Sequence, residues 1–208
     1  MTSASIPLRK VQGRLLLRPS ARTIRWVTFA VITGVAALTV WTGGRKGGDP
    51  AVVALPVATT LLCVWLCFLF EDRAAETTNT TATPLAFRRT VRAAIAVPAA
   101  ASVWLGLTWI APLDGPTAAM AGSFAAEVAL ALAAAAVAAR WLGAGRSGLA
   151  AAGAIVFVAI VLPVWLGTPP SVDPASPPIW DATAYWSLVA LVSVSVFTWV
   201  HAAPLPRR

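Results

Sequence analysis

The chain has 208 residues, of which 58% are apolar and only 12% charged, about half the charged share of a soluble domain. Its mean hydropathy is +0.77 and its pI is near 11.3. Too few charges are available to cover a soluble surface, and two Cys, one His and one Tyr give neither a disulfide framework nor a broad catalytic inventory. A basic pI argues for nucleic-acid binding only where the charge gathers on one face, and here it falls between apolar runs. The composition excludes an ordinary globular enzyme and a disordered chain. The expected class is an all-α polytopic membrane protein.

Residues 1–23 form a basic segment in which Ile6, Leu8, Val11, Leu15, Leu16 and Leu17 interleave with Arg9, Lys10, Arg14 and Arg18. That pattern suits an amphipathic helix lying on the membrane surface and ending near Pro19. A plain basic tail acting as a topology signal is the alternative. The segment is longer than the n-region of a signal peptide, and no small-residue cleavage site follows the first apolar run.

A bilayer core of about 30 Å takes roughly 20 apolar helical residues. Six runs of that length follow, at 24–42, 51–70, 93–111, 117–139, 147–167 and 183–202, within a six-helix domain covering 24–203. They do not alternate as transmembrane strands would. Turn chemistry separates them: Gly43, Gly44, Gly47, Gly48 and Pro50 after the first, and Pro112, Asp114, Gly115 and Pro116 after the third. Residues 204–208 form a short tail.

Fourteen of the sixteen Lys and Arg fall in the N-terminal segment, the second and fourth connections and the C-terminus, with only Arg45 and Lys46 on the opposite side. Asp49, Asp114, Asp173 and Asp181 lie on that arginine-poor side. The positive-inside rule then predicts six spans with both termini in the cytoplasm of a cell membrane. Trp26, Trp141 and Trp199 fall at the inner ends and Trp41, Trp109, Trp165 and Trp186 at the outer ends, as aromatic belts do. Trp65 and Trp104 lie deeper and are expected to pack inside.

Glu127 is the one ionisable residue deep in a run. A charge at the bilayer centre costs about 2.5–3.5 kcal/mol on insertion scales, so such a residue faces a bundle interior or a cavity. Met120, Ser123, Ala131, Ala134 and Ala138 share its face, and mostly small residues there let another helix come close. Glu127 and Ser123 are thus candidates for a transport pathway or for support of the bundle. Cys63 and Cys67, one turn apart, are expected to be packing residues rather than a disulfide or metal site. Asn79-Thr80-Thr81 fits the glycosylation pattern on the side where no glycosylation occurs. No Walker-type phosphate loop is present, since the run after Gly43 lacks the Gly-Lys-Ser/Thr ending. No catalytic residue, metal ligand set or cofactor is expected, and enzymatic activity is not. The connection 168–181 holds Pro169, Pro170, Pro174, Pro177 and Pro178 before Ile179 and Trp180, which stiffens it. It is either a rigid connector or an element dipping into the outer interface.

The longest cytoplasmic connection runs from Glu71 to Arg92. It opens acidic with Glu71, Asp72 and Glu76, turns Thr-rich, and ends in Thr83-Pro84 followed by Arg88, Arg89 and Arg92. Thr83 can cap a helix whose first residue is Pro84, so the third run should begin as a helix before it enters the membrane. With these residues the chain resembles the membrane subunits of ATP-binding-cassette exporters, in the small, Ala-rich actinobacterial form of the six-span permease. The resemblance implies coupling to a separate ATPase subunit through Glu71, Asp72, Glu76, Thr83, Pro84, Arg88, Arg89 and Arg92. It also implies a second permease subunit, identical or not, and ATP hydrolysis by the partner. The remaining partners expected are membrane lipids, not nucleic acid. One departure stands out: Thr77, Thr78, Asn79, Thr80 and Thr81 replace the apolar docking residues of the family's coupling segment. Two other readings keep the same topology. One is a non-transporting scaffold or assembly protein, the other a small ion-coupled carrier using Glu127.

Overall fold

A computed structural model describes residues 24–45, 54–71, 85–111, 117–142, 146–162 and 182–202. Within them the chain is all-helical, with six helices and no strand. Helix α1 is Trp26–Arg45 and α2 is Ala54–Cys67, closed by a 3-10 turn at Phe68–Phe70. Helix α3 is Leu85–Ile110, α4 is Thr117–Trp141, α5 is Ser147–Val156 continued by a π-turn at Phe157–Val161, and α6 is Ala182–Ala202. Three segments are long and apolar enough to cross a membrane: Trp26–Gly43, Arg88–Ile110 and Met120–Trp141. The apolar helices Ala54–Phe70, Ser147–Val161 and Ala184–Val200 are shorter.

Helix α2 is described from Ala54, within the apolar run that predicts it, and carries Pro56 near that end. Helix α3 is described from Leu85, so it extends well before the apolar run at 93. Pro98 sits inside it, a residue that membrane helices accommodate better than soluble ones.

Helix α4 is the hub. It packs against α6, α5 and α2, while α2 in turn touches α1, α3 and α5. Small side chains make this closeness possible: Ala131, Ala135, Ala138 and Ala139 of α4 are buried, as are Ala151 and Ala152 of α5. Close helix approach through small residues is the usual packing solution in lipid, where apolar burial alone gives no preference for protein over acyl chains. Larger side chains fill the space around α2, where Leu62, Trp65, Leu66 and Phe70 are almost fully enclosed. Phe29 of α1 lies 4.3 Å from the Trp65 ring, joining the first two helices.

The outside is apolar. Val27, Val31, Val35 and Leu38 form an exposed stripe of helical spacing along α1, and Leu188, Leu191, Val192 and Trp199 are exposed on α6. Trp109, near the end of α3, is 90% exposed. A water-soluble bundle would place charge on these faces. The expected packing roles of Trp65 and Trp104 hold, since both are buried.

Candidate functional site

Glu127 lies near the middle of α4 and is 2% exposed. Its partner comes from α2: Thr60 Oγ1 is 3.2 Å from Glu127 Oε2 and 3.0 Å from the Pro56 carbonyl. A hydroxyl has one proton to give and two lone pairs to receive with. With Glu127 protonated, the carboxyl donates to Thr60 and Thr60 donates back to Pro56. With Glu127 ionised, the Thr60 proton turns to the carboxylate. Either state keeps α2 and α4 joined.

The neighbouring Thr59 extends the junction to a third helix. Its hydroxyl donates to the Leu55 carbonyl at 2.9 Å and accepts from the Trp104 indole N–H of α3 at 3.1 Å. Trp104 stacks on Phe124 of α4, with ring centroids 5.0 Å apart, and Phe124 is one turn from Glu127. Thr59, Thr60 and Trp104 are all buried. The result is a closed polar junction of α2, α3 and α4 rather than a lone carboxyl. Ser123 stands apart from it, donating to the Met120 carbonyl of its own helix at 2.9 Å. The sequence pointed to Glu127 but not to Thr59, Thr60 or Trp104. The signal was there in a Thr-Thr pair, polar on both faces, in the middle of an otherwise apolar run.

The second site lies at the arginine-rich end of the bundle, where α1, α3 and α5 begin and α2, α4 and α6 finish. Helix C-termini leave carbonyls without intrahelical partners and carry partial negative charge, and arginines meet them here. Arg92 of α3 is buried and its Nη1 donates to the Leu69 carbonyl at the end of α2, at 3.5 Å. The Arg89 guanidinium lies over the Phe70 ring at 5.7 Å. Arg88, one turn before Arg92, is half-buried. On the other side, Arg140 Nη1 of α4 donates to the Val200 carbonyl of α6 at 2.7 Å and sits over the Trp199 ring.

Glu71 is the only acid described at this end. Its side chain is 11% exposed, lies 3.5 Å from the Arg25 guanidinium just before α1, and packs against Gly148 in the first turn of α5. A Cβ at Gly148 would come 2.5 Å from the Phe68 ring and 2.8 Å from Glu71 Oε1. Glu71 thus holds three helices together, and of the residues expected to meet a partner it turns inward, as does Arg92. Asp72, Glu76, Thr83 and Pro84, the segment 1–23 and the connection 168–181 lie outside the described residues.

A further contact joins α5 and α6. In the π-turn, the Leu162 N–H reaches the Phe157 carbonyl, so the following residue would serve Val158. That residue is Pro163, which has no N–H. The Tyr185 hydroxyl of α6 donates to the Val158 carbonyl instead, at 2.6 Å.

Cys63 and Cys67 are free, buried thiols. Among the described residues no group of three or more His, Cys, Asp or Glu stands close enough to hold a metal. No family model matches the chain, and neither a curated protein nor a solved structure does so.

Proposed function

We propose that this chain is a six-span membrane permease subunit with both termini in the cytoplasm, driven by a separate ATPase that acts on the connection between α2 and α3. The shorter helices α2, α5 and α6 complete the crossing with their flanking apolar residues and with local thinning of the bilayer, which costs fractions of a kcal/mol per Å. The observation that carries the proposal is the way both roots of that connection are fastened. Its start at Glu71 is tied to α1 through Arg25 and to α5 through Gly148. Its end leads into α3, whose Arg92 holds the end of α2. A push on residues 72–84 would therefore reach four helices through these two roots. The Ala-lined contacts of α4 and α5 then give surfaces along which helices shift with little steric resistance, a shear motion of the kind packed helices make.

Within this reading the residues that meet the ATPase are Asp72, Glu76, Thr83 and Pro84, with Arg88 and Arg89 at the edge, while Glu71 and Arg92 transmit. A second permease subunit, a copy or a relative, completes the pathway, and Glu127 lies on the helix that would face or brace it. The ion-coupled carrier remains a second reading because the buried Glu127 carboxyl keeps its bond to Thr60 whether protonated or ionised.

The test is affinity purification of the tagged chain in mild detergent, with the bound proteins identified by mass spectrometry. The proposal expects a stoichiometric ATPase, lost when residues 72–84 are replaced by a flexible linker of equal length. A chain that arrives alone, under conditions in which a known exporter keeps its ATPase, overturns it.

A further inference from the structure

Six arginines are described at the arginine-rich end, against one acid. Four of them, Arg88, Arg89, Arg92 and Arg140, are wholly or partly buried, and Arg89, Arg92 and Arg140 meet helix ends and aromatic rings. The other two are different. Arg25 is 47% exposed on its side chain and Arg146 is exposed. Both lie near the same carboxylate along the chain's path: Arg25 pairs with Glu71, and Arg146 is two residues before Gly148, against which Glu71 packs. One negative charge thus serves a region with two exposed arginines, leaving an excess of positive charge.

The surroundings are those of a membrane interface. Trp26 is next to Arg25, and Trp141 and Leu142 close α4 just before Arg146; all three are exposed, as is Leu149 a turn into α5. Guanidinium groups above an apolar skirt match a phosphate above acyl chains, and Arg binds phosphate through parallel hydrogen bonds. We infer that Arg25 and Arg146 form a binding site for the headgroup of an anionic phospholipid, with Glu71 competing for Arg25. The inference rests on the membrane-embedded reading, but not on the ATPase. It gives Glu71 two exclusive states: closed onto Arg25, or yielding Arg25 to the lipid phosphate. The lipid thereby acts on the same tie that fastens the α2–α3 connection.

The competition sets the signs of the test. The full chain is reconstituted in nanodiscs containing phosphatidylglycerol in phosphatidylcholine, and the enrichment of phosphatidylglycerol around it is read by native mass spectrometry. Near a membrane surface each basic residue changes anionic-lipid affinity by about fivefold. Arg25→Gln and Arg146→Gln should each lower the enrichment by that order, and Glu71→Gln should raise it. With Lys46→Gln, on the arginine-poor side, Glu71→Gln should still raise the enrichment. Helix content measured on each variant keeps misfolding apart from lost binding, and Glu71→Asp, which retains the charge, should behave as the wild type does. Enrichment that is indifferent to both arginines, or that falls in Glu71→Gln with helix content intact, overturns the inference. Displacement of the lipid by inorganic phosphate also overturns it, because the source is then a soluble anion. Failure of the chain to resist alkaline extraction from the bilayer would remove the membrane reading and this inference together. Stable insertion without lipid preference would remove this inference alone.

Discussion

At the scale of single residues, the Glu127–Thr60 contact predicts an asymmetry. Removing the hydroxyl in Thr60→Val leaves the Glu127 carboxyl buried with no described partner, whereas Glu127→Leu leaves Thr60 its bond to the Pro56 carbonyl. A polar group stranded in the interior costs more than a pair replaced by apolar atoms. Thr60→Val should therefore destabilise by about 0.6–1.7 kcal/mol, the range of hydrogen bonds between membrane helices, and Glu127→Leu by less. Thermal unfolding in detergent checks the order, and equal losses would mean that the junction holds by packing alone. Glu127→Gln keeps shape and a donor, so it should leave stability nearly unchanged. If the carboxyl serves a proton-coupled pathway, that same variant abolishes transport, which separates a braced bundle from a carrier. The isolated acid in an apolar run marked Glu127 in the sequence as a buried polar residue. Its partners were not marked, because periodicity shows which face of a helix is special but not which neighbour meets it.

At the scale of elements, the two ends of α5 make separate predictions. Gly148 packs so closely on Phe68 and Glu71 that Gly148→Ala forces the Phe68 ring aside, while a Cβ at Gly153 meets nothing within 4 Å. Overpacking of this kind costs about 1–3 kcal/mol, whereas Ala in place of an unobstructed helical Gly gains about 0.5–1 kcal/mol. Melting temperatures of the two variants should move in opposite directions. At the far end, Tyr185→Phe leaves the Val158 carbonyl without the donor that Pro163 cannot supply. Pro163→Ala supplies an N–H to the residue that follows Leu162. The double variant should recover much of the stability that Tyr185→Phe loses, and an additive result would show that the hydroxyl does not stand in for the missing N–H. The helices themselves were legible from run length and turn residues, and the early start of α3 from Thr83-Pro84. The π-turn was not legible. The Tyr185 hydroxyl that meets it comes from another helix, a long-range pairing that local pattern does not contain.

At the scale of the whole molecule, the exposed apolar stripes and the gathering of arginines at one end follow from the same distribution that the sequence displays. Charge counting predicts which helix ends share a side, and Arg25–Glu71, Arg92–Leu69 and Arg140–Val200 bring those ends together. What counting could not supply is that Arg92 and Arg140 also hold helix ends, since composition is blind to which carbonyl a guanidinium reaches. The proposed coupling depends on the connection between α2 and α3 lying on the ATPase side of the membrane. Cysteine accessibility in intact cells tests this directly, with the buried Cys63 and Cys67 replaced by Ala. Asn79→Cys should react with a membrane-impermeant maleimide only after the cells are permeabilised, and Lys46→Cys should react without permeabilisation. Labelling of Asn79→Cys in intact cells would put the connection outside, beyond reach of any cytoplasmic ATPase, and would contradict the account.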